Sequence, residues 1–171
     1  MKKTKIVLFT ILASIVALVL QSTLFKVLQI WEVKPDLLLL VVIFIAIRGG
    51  SMHGQIAGFT AGMMQGFAAA PLPLGIYAAV KTIIGFFYGL LEGTVSIDPF
   101  FIQLLVVLIG TIFKYILELI VKLVFQIPLL PTGEYFAVLG LEVLYNMICA
   151  PFIFFIMNKI NIIKEKTVES F

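Results

Sequence analysis

Apolar residues run through the chain in long blocks, and polar residues, glycines and prolines gather in short breaks between them. The first block follows Met1-Lys2-Lys3-Thr4-Lys5 and continues past Gln21 to Leu28, which predicts a helix over about 6–28. A basic start before an apolar run resembles a secretory signal, but this run outlasts a signal core, so an uncleaved helix is expected. Trp31-Glu32-Val33-Lys34-Pro35-Asp36 interrupts it and leads into a second block over about 35–48, almost all Leu, Val and Ile. Pro35 suits a first helical turn, and Asp36 suits a cap. Arg48-Gly49-Gly50-Ser51 reads as a tight turn before a third helix over about 52–70. Ala70-Pro71-Leu72-Pro73 breaks the chain again before a fourth over about 73–95. Ser96-Ile97-Asp98-Pro99, with Asp98 as a candidate N-cap, opens a fifth over about 99–127. Pro128 through Gly133 separates this from a sixth over about 135–157, and a polar tail covers 158–171.

A bilayer core takes about 20 apolar residues per helical span. The blocks therefore predict an all-α, polytopic membrane protein: one membrane domain over 1–171, folded as a compact bundle of six transmembrane helices. Composition agrees. The chain is 62% hydrophobic and only 12% charged, a balance that leaves too little polar surface to cover a soluble domain. The formal charge of +3 is scattered, which excludes nucleic acid as a partner and leaves lysine and arginine as topology signals. Lys2, Lys3, Lys5, Arg48, Lys159, Lys164 and Lys166 fall on one side of a six-span chain, whereas Lys26 and Lys34 fall on the other. Both termini are thus expected in the cytoplasm.

Two ladders of glycines at four-residue spacing stand out: Gly50, Gly54, Gly58, Gly62 and Gly66, then Gly85, Gly89 and Gly93. In a soluble helix each interior glycine costs about 1 kcal/mol relative to alanine. In a bilayer, where hydrophobicity does not drive helices together, small residues let backbones approach and so promote association. The ladders either pack helix three on helix four or offer part of a groove to a partner's helix. Substituting leucine at Gly62 or Gly89 separates these readings, since the first loses the fold and the second only the partner.

Charged residues inside the spans need partners, because an intramembrane charge costs about 2.5–3.5 kcal/mol even on insertion scales. Lys81 extends the second ladder by one step toward a neighbouring helix. Counted from the outer ends of their spans, Lys81, Glu118 and Glu142 share a depth, with Lys114 and Asn146 slightly deeper and Lys122 free to snorkel. An outer-half polar cluster of Lys81, Lys114, Glu118, Glu142 and Asn146 is expected, either as a structural ion-pair network or as a ligand or partner site.

Catalytic chemistry is not expected. His53 is the single histidine and falls in a turn, and Cys149 is the single cysteine and falls in an apolar run. The chain has no zinc-binding His-Glu-x-x-His, no phosphate-cradling loop and no pair of intramembrane aspartates. No metal and no cofactor is expected.

Pro35-Asp36-Leu37-Leu38-Leu39-Leu40, Arg48-Gly49-Gly50 and Gly58-Phe59-x-x-Gly62-Met63-Met64-Gln65 together resemble the MreD family of rod-shape-determining proteins. Pro73-Leu74-Gly75-Ile76-Tyr77, Lys81-Thr82-x-x-Gly85-Phe86-x-x-Gly89 and Tyr145-Asn146-x-x-x-x-Pro151 extend the resemblance over nearly the whole chain. Gly66 departs from it, since members often carry an aspartate there. The resemblance implies a non-enzymatic subunit of the bacterial elongation complex in the cytoplasmic membrane. Its implied partners are an MreC-like protein, the complex's transpeptidase and glycosyltransferase, the MreB filament directly or indirectly, and the lipid bilayer. It singles out the glycines of helices three and four, with Pro35, Asp36, Arg48 and Gly49 shaping the entrance and turn of helix two. MreD-like chains also look distantly similar to substrate-binding S subunits of energy-coupling-factor vitamin transporters, which gives a second reading. The pair Ala13 and Ala17 matches the small-residue pattern of those subunits, and the Lys81/Glu118/Glu142 cluster would line a ligand site.

Overall fold

The computed structural model describes residues 2–23, 33–68, 75–129 and 131–160, with side chains from Leu8 onward in the first of these segments. They form six α-helices: α1 Lys2–Thr23, α2 Leu37–Gly49, α3 Ser51–Ala68, α4 Ile76–Gly89, α5 Phe100–Val124 and α6 Thr132–Ile160. Residues 24–28 of the first predicted span, 69–70 of the third, 73–74 of the fourth and 161–171 of the tail lie outside the described residues, as does Trp31.

The centre of the bundle is α2. Every residue from Leu37 to Arg48 is buried, so this helix is apolar all round because it meets protein on every side. It packs against each of the other five helices. Those five are arranged around it in the order α1, α3, α4, α5, α6, each neighbouring pair in that order touching. Apolar side chains on the outer faces stay exposed, including Leu12 and Val16 on α1, Ile112 and Ile116 on α5, and Ile148 and Phe152 on α6. An exposed apolar surface on every side of a bundle suits lipid rather than water.

Helix lengths are unequal. Two helices, α5 with 25 residues and α6 with 29, are long and apolar enough to cross a membrane by themselves. The 13 residues of α2 and the 14 of α4 rise only about 20 Å each, short of a hydrocarbon core of about 30 Å. α4 also ends earlier than its predicted span over 73–95. The Leu90 N–H lies 3.2 Å from both the Phe86 and the Phe87 carbonyl, and Gly93 turns the chain at φ +75°. Gly93 therefore sits in the turn after α4, not on the helix ladder, and nothing lies within 4 Å of where a Cβ would project. Four-residue spacing persisted in the sequence after the helix had ended.

The α2–α3 turn forms where it was predicted. Gly50 caps α2 at φ +82°, a conformation that glycine enters without steric cost, and its N–H donates to the Ala46 carbonyl at 2.8 Å. His53 faces back onto this turn, its Nδ1 2.5 Å from the Gly49 carbonyl.

Candidate functional site

The two ladders face each other across α3 and α4. A Cβ added at Gly54 would strike the Gly85 carbonyl, and one added at Gly85 would strike the Gly54 carbonyl. Gly58 lies against the Lys81 and Thr82 backbone, Gly62 against Tyr77 and Ala78, and Gly89 against Gly50 and Ser51. The helices thus touch backbone to backbone along four turns of antiparallel packing. Gly66 differs, since its nearest neighbours, the Gly75 nitrogen and the Tyr77 ring, stand 4.0 Å from the Cβ position.

This close approach sets Lys81 on the inner side of α4. Its side chain is 1% exposed, and Nζ donates to Asp36 Oδ2 at 2.6 Å. Asp36 occupies the N-cap of α2 and divides its work between two oxygens. Oδ1 accepts the Leu39 N–H at 3.0 Å, capping the helix, while Oδ2 receives Lys81 and also Lys114 Nζ at 3.2 Å. A carboxylate at a helix N-terminus also meets the positive end of the helix dipole. Asp36, expected only as a helix start, is the centre of the charged network.

From Lys114 the network crosses to α6. Lys114 Nζ donates to Glu142 Oε1, and Tyr115 Oη donates to Glu142 Oε2 at 2.7 Å. Glu118, one turn beyond Lys114 on α5, is held more loosely at 3.9 Å. Tyr135 Oη donates to the Tyr115 carbonyl at 3.0 Å, bringing the first turn of α6 onto α5. Deeper in, Asn146 Oδ1 accepts the Asp36 N–H at 2.8 Å and Asn146 Nδ2 donates to Thr111 Oγ1 at 3.0 Å. All five residues of the expected cluster are buried, and the contacts link α2, α4, α5 and α6.

Asn146 is the central residue of the 29-residue α6, and Thr111 lies next to the middle of α5. Since Asp36 meets Asn146, the start of α2 lies level with the middle of the long helix. Asp36, Thr111, Tyr115 and Tyr135 were not singled out as members of the cluster. A signal existed for Asp36: a 13-residue apolar helix is too short to reach from one face of a bilayer to the other, so a charge at its start can fall inside.

Arg48 and Gly49 belong to the opposite end of α2. Arg48 Nη2 meets Asp98 Oδ1 at 2.7 Å, and its guanidinium lies 5.2 Å from the centre of the Phe44 ring. Asn158 of α6 adds a contact to the same Asp98 oxygen at 3.3 Å. Asp98 is consequently not the N-cap of α5. Pro99 takes that position, and the Asp98 carboxylate turns to the arginine. Pro35 is buried beside Asp36, ahead of the first turn of α2.

Among the described residues no group of three His, Cys, Asp or Glu side chains is placed to hold a metal ion. The arrangement has ammonium groups seated on carboxylates from other helices, which fixes helix positions and leaves no paired nucleophile and base.

No curated protein and no solved structure matches the chain. The family model of rod shape-determining protein MreD matches residues 1–161 of the 171. The chain belongs to the MreD family: it is a non-enzymatic membrane protein of bacterial rod-shape determination.

Proposed function

We propose that this chain is a rigid intramembrane scaffold of the rod complex, holding an MreC-like protein and the wall-building transpeptidase and glycosyltransferase. Through them it couples the MreB filament, directly or indirectly, to lateral wall synthesis. The observation that carries this reading is the self-contained pairing of the buried charges. Lys81 and Lys114 are engaged by Asp36 and Glu142 from other helices, so the network fixes α2, α4, α5 and α6 relative to one another. The glycine ladders do the same for α3 and α4. A frame locked from within presents its outer helix faces in a fixed geometry, which is what a docking platform requires. The same pairing disfavours the vitamin-carrier reading, in which these charges would face a ligand.

The lysine distribution supports six membrane helices with both termini in the cytoplasm, the short α2 and α4 being held in the membrane by the helices around them. A reporter fused after Phe171 and active only outside the cell would refute this orientation. The function is tested by producing the chain in cells depleted of their own MreD protein and purifying it in mild detergent. Restored rod shape with copurified MreC-like protein is the expected result. Spherical cells at full expression, or purification with a bound vitamin, would refute the scaffold.

A further inference from the structure

Both lysines of the buried network are answered from within the bundle, but one of its carboxylates is not. Asp36, Glu118 and Glu142 set three carboxylates against two ammonium groups, those of Lys81 and Lys114. Asp36 and Glu142 each accept hydrogen bonds from other helices. Glu118 stands 3.9 Å from Lys114 Nζ, beyond hydrogen-bond reach, and no hydrogen bond meets it among the described residues. Lys122, one turn further along α5, is half-buried and makes no ion pair with it. A carboxylate buried with so little compensation is costly. It is not sealed, however, since its side chain is 11% exposed.

The helix lengths place Glu118 at an edge. Lys81 and Lys114 meet at Asp36, and Tyr88 meets the Val106 carbonyl, so α4 and α5 run antiparallel. One turn the other way from Asp36, Tyr77 of α4 is level with Glu118 of α5. α4 begins at Ile76, and α2 begins a turn short of this level at Leu37. α5 continues from Glu118 to Val124, about 9 Å, and α6 begins at Thr132, about 15 Å ahead of Glu142. Among the described helices, Glu118 therefore lies at a step where the two short helices stop and the long pair continues.

We propose that Glu118 is the docking point for a lysine or arginine on the membrane segment of a rod-complex partner, an inference that rests on the scaffold reading and names its partner's chemistry. Charge selects the occupant. The cluster carries one uncompensated negative charge, and a single cationic side chain balances it. Lysine and arginine carry that charge on a stem long enough to reach over the step along apolar surface. A metal ion would need further ligands, and among the described residues no group of three His, Cys, Asp or Glu side chains is placed to supply them. A charge pair formed only on association also selects the partner, because any other leaves the carboxylate unanswered.

The test purifies the full chain in mild detergent from rod-shaped cells and measures the rod-complex membrane proteins that come with it. Glu118→Gln is expected to weaken retention of one of them about thirty-fold, as when one member of a buried interfacial charge pair is removed. Unfolding of that variant alone should be unchanged, because no hydrogen bond is lost. Lys122→Gln should change neither readout. Replacing each basic residue in the membrane segment of the lost protein with glutamine should then find one that weakens retention as much and adds nothing to Glu118→Gln. Unchanged retention in Glu118→Gln overturns the proposal, since the carboxyl then needs no cation from outside. A loss of stability in that variant or in Lys122→Gln also overturns it, by making Glu118 a structural partner of Lys114 or Lys122. Additivity at every basic residue of the partner does the same. An unmodified chain that brings no rod-complex protein refutes the scaffold reading itself, a result separate from loss confined to the variant.

Discussion

Replacing Asp36 with asparagine isolates the charge at the centre of the network. Asparagine caps a helix about as well as aspartate, so the bond to the Leu39 N–H survives and the loss is confined to the ion pairs. Lys114 retains Glu142 as a partner, whereas Lys81, 1% exposed, loses the carboxylate that it meets at 2.6 Å. Stranding one member of a buried pair costs about 3–5 kcal/mol in water-soluble proteins. In a membrane the unfolded helices also find partners, which lowers this to about 3 kcal/mol here. Lys81→Met should cost less, because Asp36 keeps Lys114 at 3.2 Å and its backbone donor. The double variant Asp36→Asn/Lys81→Met removes both charges and should be more stable than Asp36→Asn alone, with a coupling of about 2 kcal/mol. The assay is unfolding in mixed micelles by titration with a denaturing detergent, followed by far-ultraviolet circular dichroism. If the two single effects simply add, Asp36 and Lys81 are not energetically paired and the network does not hold the bundle.

Three further outcomes follow from the packing. Gly54→Ala or Gly58→Ala forces a methyl group into facing backbone and should destabilise by about 1–3 kcal/mol, while Gly66→Ala should be near neutral; equal effects in the same unfolding assay would mean that the ladders are not in contact. Tyr88→Phe removes the donor to the Val106 carbonyl, a buried bond of 2.7 Å, and should cost about 1–2 kcal/mol by the same assay. Arg48→Gln should cost about 1–3 kcal/mol, because the buried arginine loses its bond to Asp98 and its seat on the Phe44 ring; no loss on denaturant titration would show that this pair does not clamp the α4–α5 connection to α2.

The ladders were legible because glycine at four-residue spacing has one dominant physical use in a membrane helix, and Gly54, Gly58, Gly62, Gly85 and Gly89 serve it. The period could not show where the helix ended, which is why Gly93 reads as a rung and is a turn. The charges were legible as a group, since Lys81, Lys114, Glu118, Glu142 and Asn146 could not face lipid. Their shared partner was not, because no spacing along the chain names it. Asp36 shows the consequence. Capping explained its position fully at the level of sequence, and nothing in a local motif reveals that the second carboxylate oxygen has lysines from α4 and α5 beside it.

The shortness of α2 connects these points. A helix of about 20 Å cannot hold its two ends at the two faces of a bilayer, yet it carries Asp36 at one end and Arg48 at the other. At one end Arg48 meets the half-exposed Asp98, and at the other Asp36 lies level with the middle of α6 through Asn146. Lys81 and Lys114 answer that isolated carboxylate, and Glu142 and Glu118 answer Lys114 in turn. The ring of surrounding helices keeps lipid from the short helix and its charge. Four seams do so by direct helix contact, with the α3–α4 seam made tightest by glycine. The fifth leaves Val41 at the floor of an apolar groove between α1 and α6. Ladders and network are in this view parts of one solution to a buried half-length helix.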